Sequence, residues 1–201
     1  MTIAYYVSHP QVVQDPAIPV PHWTLSEKGR ARLMTLDGAV WATSLSIIHA
    51  SDERKAIGTA EMLARFAGCR VEVHHDMGEN DRSATGYLAP PEFEAMADAF
   101  FASPEVSVRG WERAIDAQAR IVAAVERILA AQASRGPTGP IAFSGHGGVG
   151  TLLLCHLAGE PIRRLRDQPA GGGNVFGFEI ETRRLLFPWT PLEQVAALTQ
   201  G

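Results

Sequence analysis

The stretch from Pro140 to Gly159 constrains this chain most. Ile141, Ala142, Phe143 and Ser144 form a short apolar run closed by Gly145, and apolar residues recur through Leu152, Leu153, Leu154, Cys155 and Leu157 until Gly159. The pattern predicts a strand, a glycine turn and a buried helix. Such a turn leaves the helix's first amides unpaired beyond the strand's carboxyl end, where their partial positive charge suits an anion. His146 stands in that turn and can add a donor, a charge or a base. Three readings stay open. One is a phosphate pocket containing His146 and the backbone at Gly147. Another is the dinucleotide pattern G-x-G-x-x-G, spelled by Gly145 to Gly150. The third is close helix packing with a histidine incidentally at the turn. Against the dinucleotide reading, the segment after Gly159 brings no strand with an acidic residue about twenty positions on.

At 201 residues the chain is expected to form one domain over 1–201, and a domain of this size buries about 70% of its unfolded surface. With 46% hydrophobic and 20% charged residues, it has the composition of an ordinary globular protein. No apolar run reaches membrane-spanning length and the start lacks a signal-type core, so a cytoplasmic protein without membrane contact is expected. Cys69 and Cys155 are too few for a disulfide framework and read as reduced thiols. A net charge of −4 argues against a nucleic-acid face. Nothing in the sequence fixes the oligomeric state.

In chain order, Thr2 to Val7 is β-favouring and stops at Ser8-His9-Pro10, placing His9 at a strand's carboxyl end. The segment from Gln11 to Trp23 is rich in proline and reads as an extended, ordered loop. Ser26 can cap a helix running to about Asp37. A strand from Leu45 to His49 leads into a helix capped at Ser51 or Asp52, with Arg54 and Lys55 in its first turn. These are cations the helix dipole disfavours unless an anion lies between. Arg70 to His74 is a third strand, followed by the polar segment carrying Glu79 and Arg82. His74-His75 lacks metal-ligand spacing, and no metal is expected. Helices follow over Glu92 to Ala102 and about Trp111 to Ala133, the second broken at Gly136-Pro137-Thr138-Gly139-Pro140. The basic run Arg163 to Arg166 reads as a solvated face, and Val175–Ile180 with Leu185–Trp189 as a closing hairpin at a sheet edge.

Strands alternating with helices imply an α/β fold, a three-layer α/β/α sandwich with a mostly parallel central sheet. Ligands bind beyond the strands' carboxyl ends in such folds, where His9, Lys55, Glu79 and His146 would gather. The ordered set formed by His9, Leu25-Ser26-Glu27-Lys28-Gly29, Ser51-Asp52 with Lys55-Ala56 and Thr59-Ala60, Glu79, and Ser144 to Gly148 resembles the histidine phosphatase superfamily, which includes the phosphoglycerate mutases. The resemblance covers most of the chain. It implies a phosphoglycerate mutase-like fold and a phosphomonoesterase or, less favoured, mutase-like reaction on a small phosphorylated substrate, without metal or cofactor. His9 would be the nucleophile, giving a phosphohistidine. Glu79, protonated, would be the acid, while His146, Lys55 and the helix N-terminus would stabilise the phosphoryl oxygens. Two departures stand out. Ser8-His9-Pro10 replaces the family's Arg-His-Gly, and Lys55 replaces its second arginine. Ser8 could still donate a hydrogen bond, and Arg54 or Arg82 could supply the lost charge. The departures leave a slowed enzyme or, as the alternative, a catalytically silent phosphate-ligand binder of the same fold.

Overall fold

The computed structural model describes residues 2–136 and 139–198; Pro137 and Thr138 of the expected helix break lie outside them. The strands are β1 (Ile3–Ser8), β2 (Ile47–Ser51), β3 (Arg70–His74), β4 (Ile141–Gly145), β5 (Asn174–Glu179) and β6 (Leu185–Pro191). The helices are α1 (Glu27–Met34), α2 (Val40–Thr43), α3 (Arg54–Ala67), α4 (Pro90–Ala102), α5 (Ala114–Ser134), α6 (Gly147–Leu157) and α7 (Leu192–Leu198). The sheet runs β3-β2-β4-β1-β5-β6. Its first four strands are parallel, while β5 joins β1 antiparallel and closes with β6 as the edge hairpin expected from the sequence.

β1 is apolar throughout because both its faces are covered. Ala4 and Tyr6 pack with α5 and α6, and Tyr5 and Val7 with α1, α2 and α3. The second strand lies two residues later than Leu45–His49, since His49 and Ser51 find partners inside. The His49 ring meets Gln132 and His74, at 3.0 and 2.9 Å, and the Ser51 hydroxyl meets His146 at 2.9 Å. α1 ends at Met34 rather than Asp37, and α5 begins at Ala114, three residues after Trp111. Ser26 does cap α1, accepting from the Gly29 amide at 3.1 Å. Short α2 and α7 were not legible in the periodicity. The dinucleotide reading fails on topology: the strand after α6 is β5, which runs antiparallel to β1, so no βαβ unit follows the glycine turn.

The proline-rich loop is extended and ordered. Val12 bridges to Leu25, and the Trp23 indole donates to the carbonyls of Asp15 and Ile18, both at 3.0 Å. The run Arg163 to Arg166 is not simply solvated. Arg164 pairs with Glu94, Asp98 and Asp167, tying the segment to α4. Cys69 and Cys155 are free thiols. Among the described residues no helix is long and apolar enough to cross a membrane.

Candidate active site

The register of β1 and β4 brings the two histidines together. Ser8 pairs with Gly145, so the next residue on each parallel strand, His9 and His146, leaves the sheet at the same level, with ring centroids 5.4 Å apart. β2 is one strand over, and Ser51 at its end reaches the His146 ring. A cavity of about 380 Å³ opens there, lined by His9, Lys55, Glu79, Arg82, Gly147 and Gln168 among others.

The two rings are held by different partners. His9 Nδ1 lies 2.9 Å from the Pro10 carbonyl, which only accepts, so Nδ1 carries the proton and Nε2 keeps its lone pair. The Pro10 carbonyl thereby orients the ring. Burial, then the proximity of His146 and Lys55, lowers the His9 pKa to about 3, keeping it neutral at physiological pH. For His146, Nε2 lies 2.9 Å from the Ser51 hydroxyl, which also accepts from the Glu53 amide at 3.2 Å. Its Nδ1 is fully buried and has no partner among the described residues. Burial lowers the His146 pKa as well.

Glu79 occupies the helix N-terminus where phosphate was expected. Its carboxylate accepts from Gly148 at 3.2 Å, Val149 at 2.9 Å and Asn80 at 3.1 Å. Burial works to raise its pKa, but Arg82, His146 and the Val149 amide outweigh it and hold the group ionised.

Ser8 and Arg54 do not reach the pocket. The Ser8 hydroxyl donates to Gln168 Oε1 at 2.5 Å and accepts from the Asn174 amide at 3.0 Å, so a neutral polar cluster seals this position. Arg54 is exposed at the start of α3. Arg82 does line the cavity, its guanidinium held 5.1 Å from the Phe93 ring centre and 5.6 Å from that of Trp111. Lys55 is buried and lines it too, but it is paired with Glu53 and donates to the Val20 carbonyl at 3.0 Å. Glu53, which sequence reasoning passed over, also lies 3.4 Å from His146 Nε2 and accepts from the Glu79 amide at 2.9 Å. Burial opposes its charge, yet His146 and Lys55 hold it well below the usual carboxylate range. Its only sequence signal was a carboxylate two positions before the cation.

Away from this pocket, His49, Glu72 and His74 bring three potential metal ligands together across β2 and β3. Glu72 is already paired with Arg70 at 3.0 Å and Arg135 at 3.3 Å, and the two imidazoles bond each other.

The family model for histidine phosphatase superfamily, branch 1, matches residues 18–186. This chain belongs to the histidine phosphatase superfamily. The matched stretch begins after the Ser8-His9-Pro10 turn. No curated protein matches the chain. Among solved structures, mycobacterial glucosyl-3-phosphoglycerate phosphatase in complex with inorganic phosphate is similar at 21% identity and a TM-score of 0.76, over 96% of this chain and 99% of that one. The same phosphatase with VO3 gives 20% identity and 0.77, over 95% and 100%. Bacillus stearothermophilus YhfR gives 23% and 0.74, over 92% and 94%. At these identities the likeness is one of fold, the phosphoglycerate mutase-like α/β sandwich.

Proposed function

We propose that this superfamily member is a phosphomonoesterase that works through a phosphohistidine at His9. The observation that carries the reading is the pairing of a neutral His9 with its Nε2 lone pair free against a buried His146 whose Nδ1 has no partner among the described residues. One ring can attack phosphorus while the other donates to a phosphoryl oxygen. His9 Nε2 forms the N–P bond as the P–O bond to the alcohol breaks, and the departing oxygen takes up a proton. Glu79 is the group placed to supply it. A dianionic phosphoryl group beside this carboxylate raises its proton affinity, so substrate entry converts an ionised Glu79 into an acid. Water activated by the regenerated carboxylate then cleaves the N–P bond and returns free His9 and inorganic phosphate. Lys55, Arg82 and the Gly147 backbone complete the anion pocket. The phosphate and VO3 complexes of the mycobacterial phosphatase support a small phosphorylated substrate.

A second reading, a phosphate-ligand binder without turnover, is favoured by one observation. Glu53 neutralises Lys55 and Ser8 is sealed by Gln168, which leaves Arg82 as the cation of this pocket without an ion pair among the described residues. A screen of phosphomonoesters with wild type and His9→Ala separates the two. The enzyme reading expects turnover that falls at least about 10³-fold in the variant, together with acid-labile phosphate on wild-type His9. Phosphate-induced thermal stabilisation with equal, negligible turnover in both proteins overturns it in favour of the binder.

A further inference from the structure

A second cavity of about 800 Å³ adjoins the phosphoryl pocket and is not used by the chemistry above. Val20, Glu79, Asn80 and Arg82 line both spaces and form the partition between them. Asn80 is 6% exposed, and its side-chain Nδ2 has no hydrogen-bond partner. A buried amide donor left unmade costs about 1–3 kcal/mol, which is tolerated where a ligand supplies the acceptor. The far wall is the ordered loop carrying Pro16, Ile18 and Pro21, together with Tyr87, whose ring is braced 5.6 Å from that of Trp23. Rigid, weakly polar walls of this kind suit the flat face of a ring. Of the acidic groups on the remaining side, Asp81 accepts from the Ser83 amide at 2.8 Å and keeps its negative charge, while four others are paired. Asp52 is bonded to His75 at 2.7 Å, Asp76 to Arg127 at 2.6 Å and Glu112 to Arg120 at 2.7 Å, and Glu53 is paired with Lys55. Such a rim does not require a cation, but a further carboxylate would meet like charge.

Resting on the phosphomonoesterase reading, we propose that this cavity receives the alcohol part of the substrate, that the Asn80 amide bonds one of its oxygens, and that the preferred substrates are phosphomonoesters of uncharged, oxygen-rich alcohols such as sugars. An Asn80→Ala variant of unchanged thermal stability, compared with wild type on glucose 6-phosphate, phenyl phosphate, phosphocholine and 3-phosphoglycerate, tests it. The expected result is that wild type prefers glucose 6-phosphate over 3-phosphoglycerate by at least tenfold in kcat/KM. The loss in Asn80→Ala should be at least tenfold greater for glucose 6-phosphate than for phenyl phosphate, which offers no acceptor beyond its ester oxygen, and should lie mainly in KM. Equal losses on both substrates, or a wild-type preference for 3-phosphoglycerate or phosphocholine, overturn it. Calorimetry separates this proposal from the reading beneath it. If nothing is hydrolysed but glucose 6-phosphate binds wild type more tightly than inorganic phosphate, and Asn80→Ala erases the difference, the catalytic reading fails and the subsite stands. If the two ligands bind alike, the subsite fails.

Discussion

At the scale of single residues, the pocket carries its own counter-ion. The Glu53 carboxylate takes the charge of Lys55 that an incoming phosphate would otherwise meet, and it also bonds the Glu79 amide and approaches His146. Substrate must compete with it. Glu53→Gln keeps the shape and the hydrogen bond to Glu79 while freeing the cation, so inorganic phosphate should bind about tenfold more tightly, as one buried unit charge at this range implies. Without ligand the same variant should be less stable by about 3 kcal/mol, because a buried lysine loses its partner. Phosphate titration calorimetry and thermal melts with and without phosphate measure both. Weaker phosphate binding in the variant would show that Glu53 supports the pocket instead of competing in it. Sequence reasoning singled out His9, His146 and Lys55 because each sits at a strand end or helix start, and Glu79 through the family resemblance. Glu53 and Gln168 were out of reach, since what defines them is contact with residues 26 and 160 positions away, and Asn80 because burial of an unpartnered amide leaves no mark in the sequence.

At the scale of elements, the site depends on how tightly α6 lies on the sheet. Gly150 permits that approach: a Cβ there would stand 2.6 Å from Tyr6 Cε1 and 2.7 Å from Trp189 Cζ2. Neither ring has room to yield. Tyr6 stacks on Phe176 with centroids 5.2 Å apart and planes 7° from parallel, and Trp189 meets Phe176 edge-on at 4.8 Å. Gly150→Ala should therefore cost about 1–3 kcal/mol by denaturant unfolding, the usual range for overpacking a filled core. Because the Tyr6 hydroxyl also accepts from the His146 amide at 3.3 Å, phosphate binding should weaken alongside. A variant as stable as wild type would mean that α6 can slide without strain. The glycines that spelled a dinucleotide fingerprint are thus spent in other ways, Gly150 on packing and the amides of Gly148 and Val149 on Glu79. The sequence pattern located the strand, turn and helix correctly, but it could not say which anion the turn holds, because Glu79 arrives from 69 residues earlier.

For the molecule as a whole, the buried histidines couple stability to pH. The rings of His9, lowered to about 3, and His49, lowered to about 4, resist protonation in the folded state, chiefly through burial, and those of His146 and His74 are lowered by burial as well. In the unfolded chain each titrates near its ordinary value of about 6.5. Below that pH the unfolded state binds more protons than the folded one, so acid favours unfolding. The stability these groups contribute is fully present above pH 6.5 and is lost as pH falls toward 4, by up to about 1.4 kcal/mol per pH unit for each fully buried ring. Glu53 and Glu79, whose folded pKa values are depressed, contribute stability that is present above about pH 4.5 and lost below it. His75, exposed and raised by Asp52, works weakly in the opposite direction. Urea unfolding measured from pH 8 to pH 4 should therefore show stability declining from about pH 6.5, well before the carboxylates titrate, and His9→Ala should flatten that decline. A profile level down to pH 5 would show that the histidines take up protons as readily in the folded state as in the unfolded chain, so that burial does not hold the proposed nucleophile neutral at acidic pH.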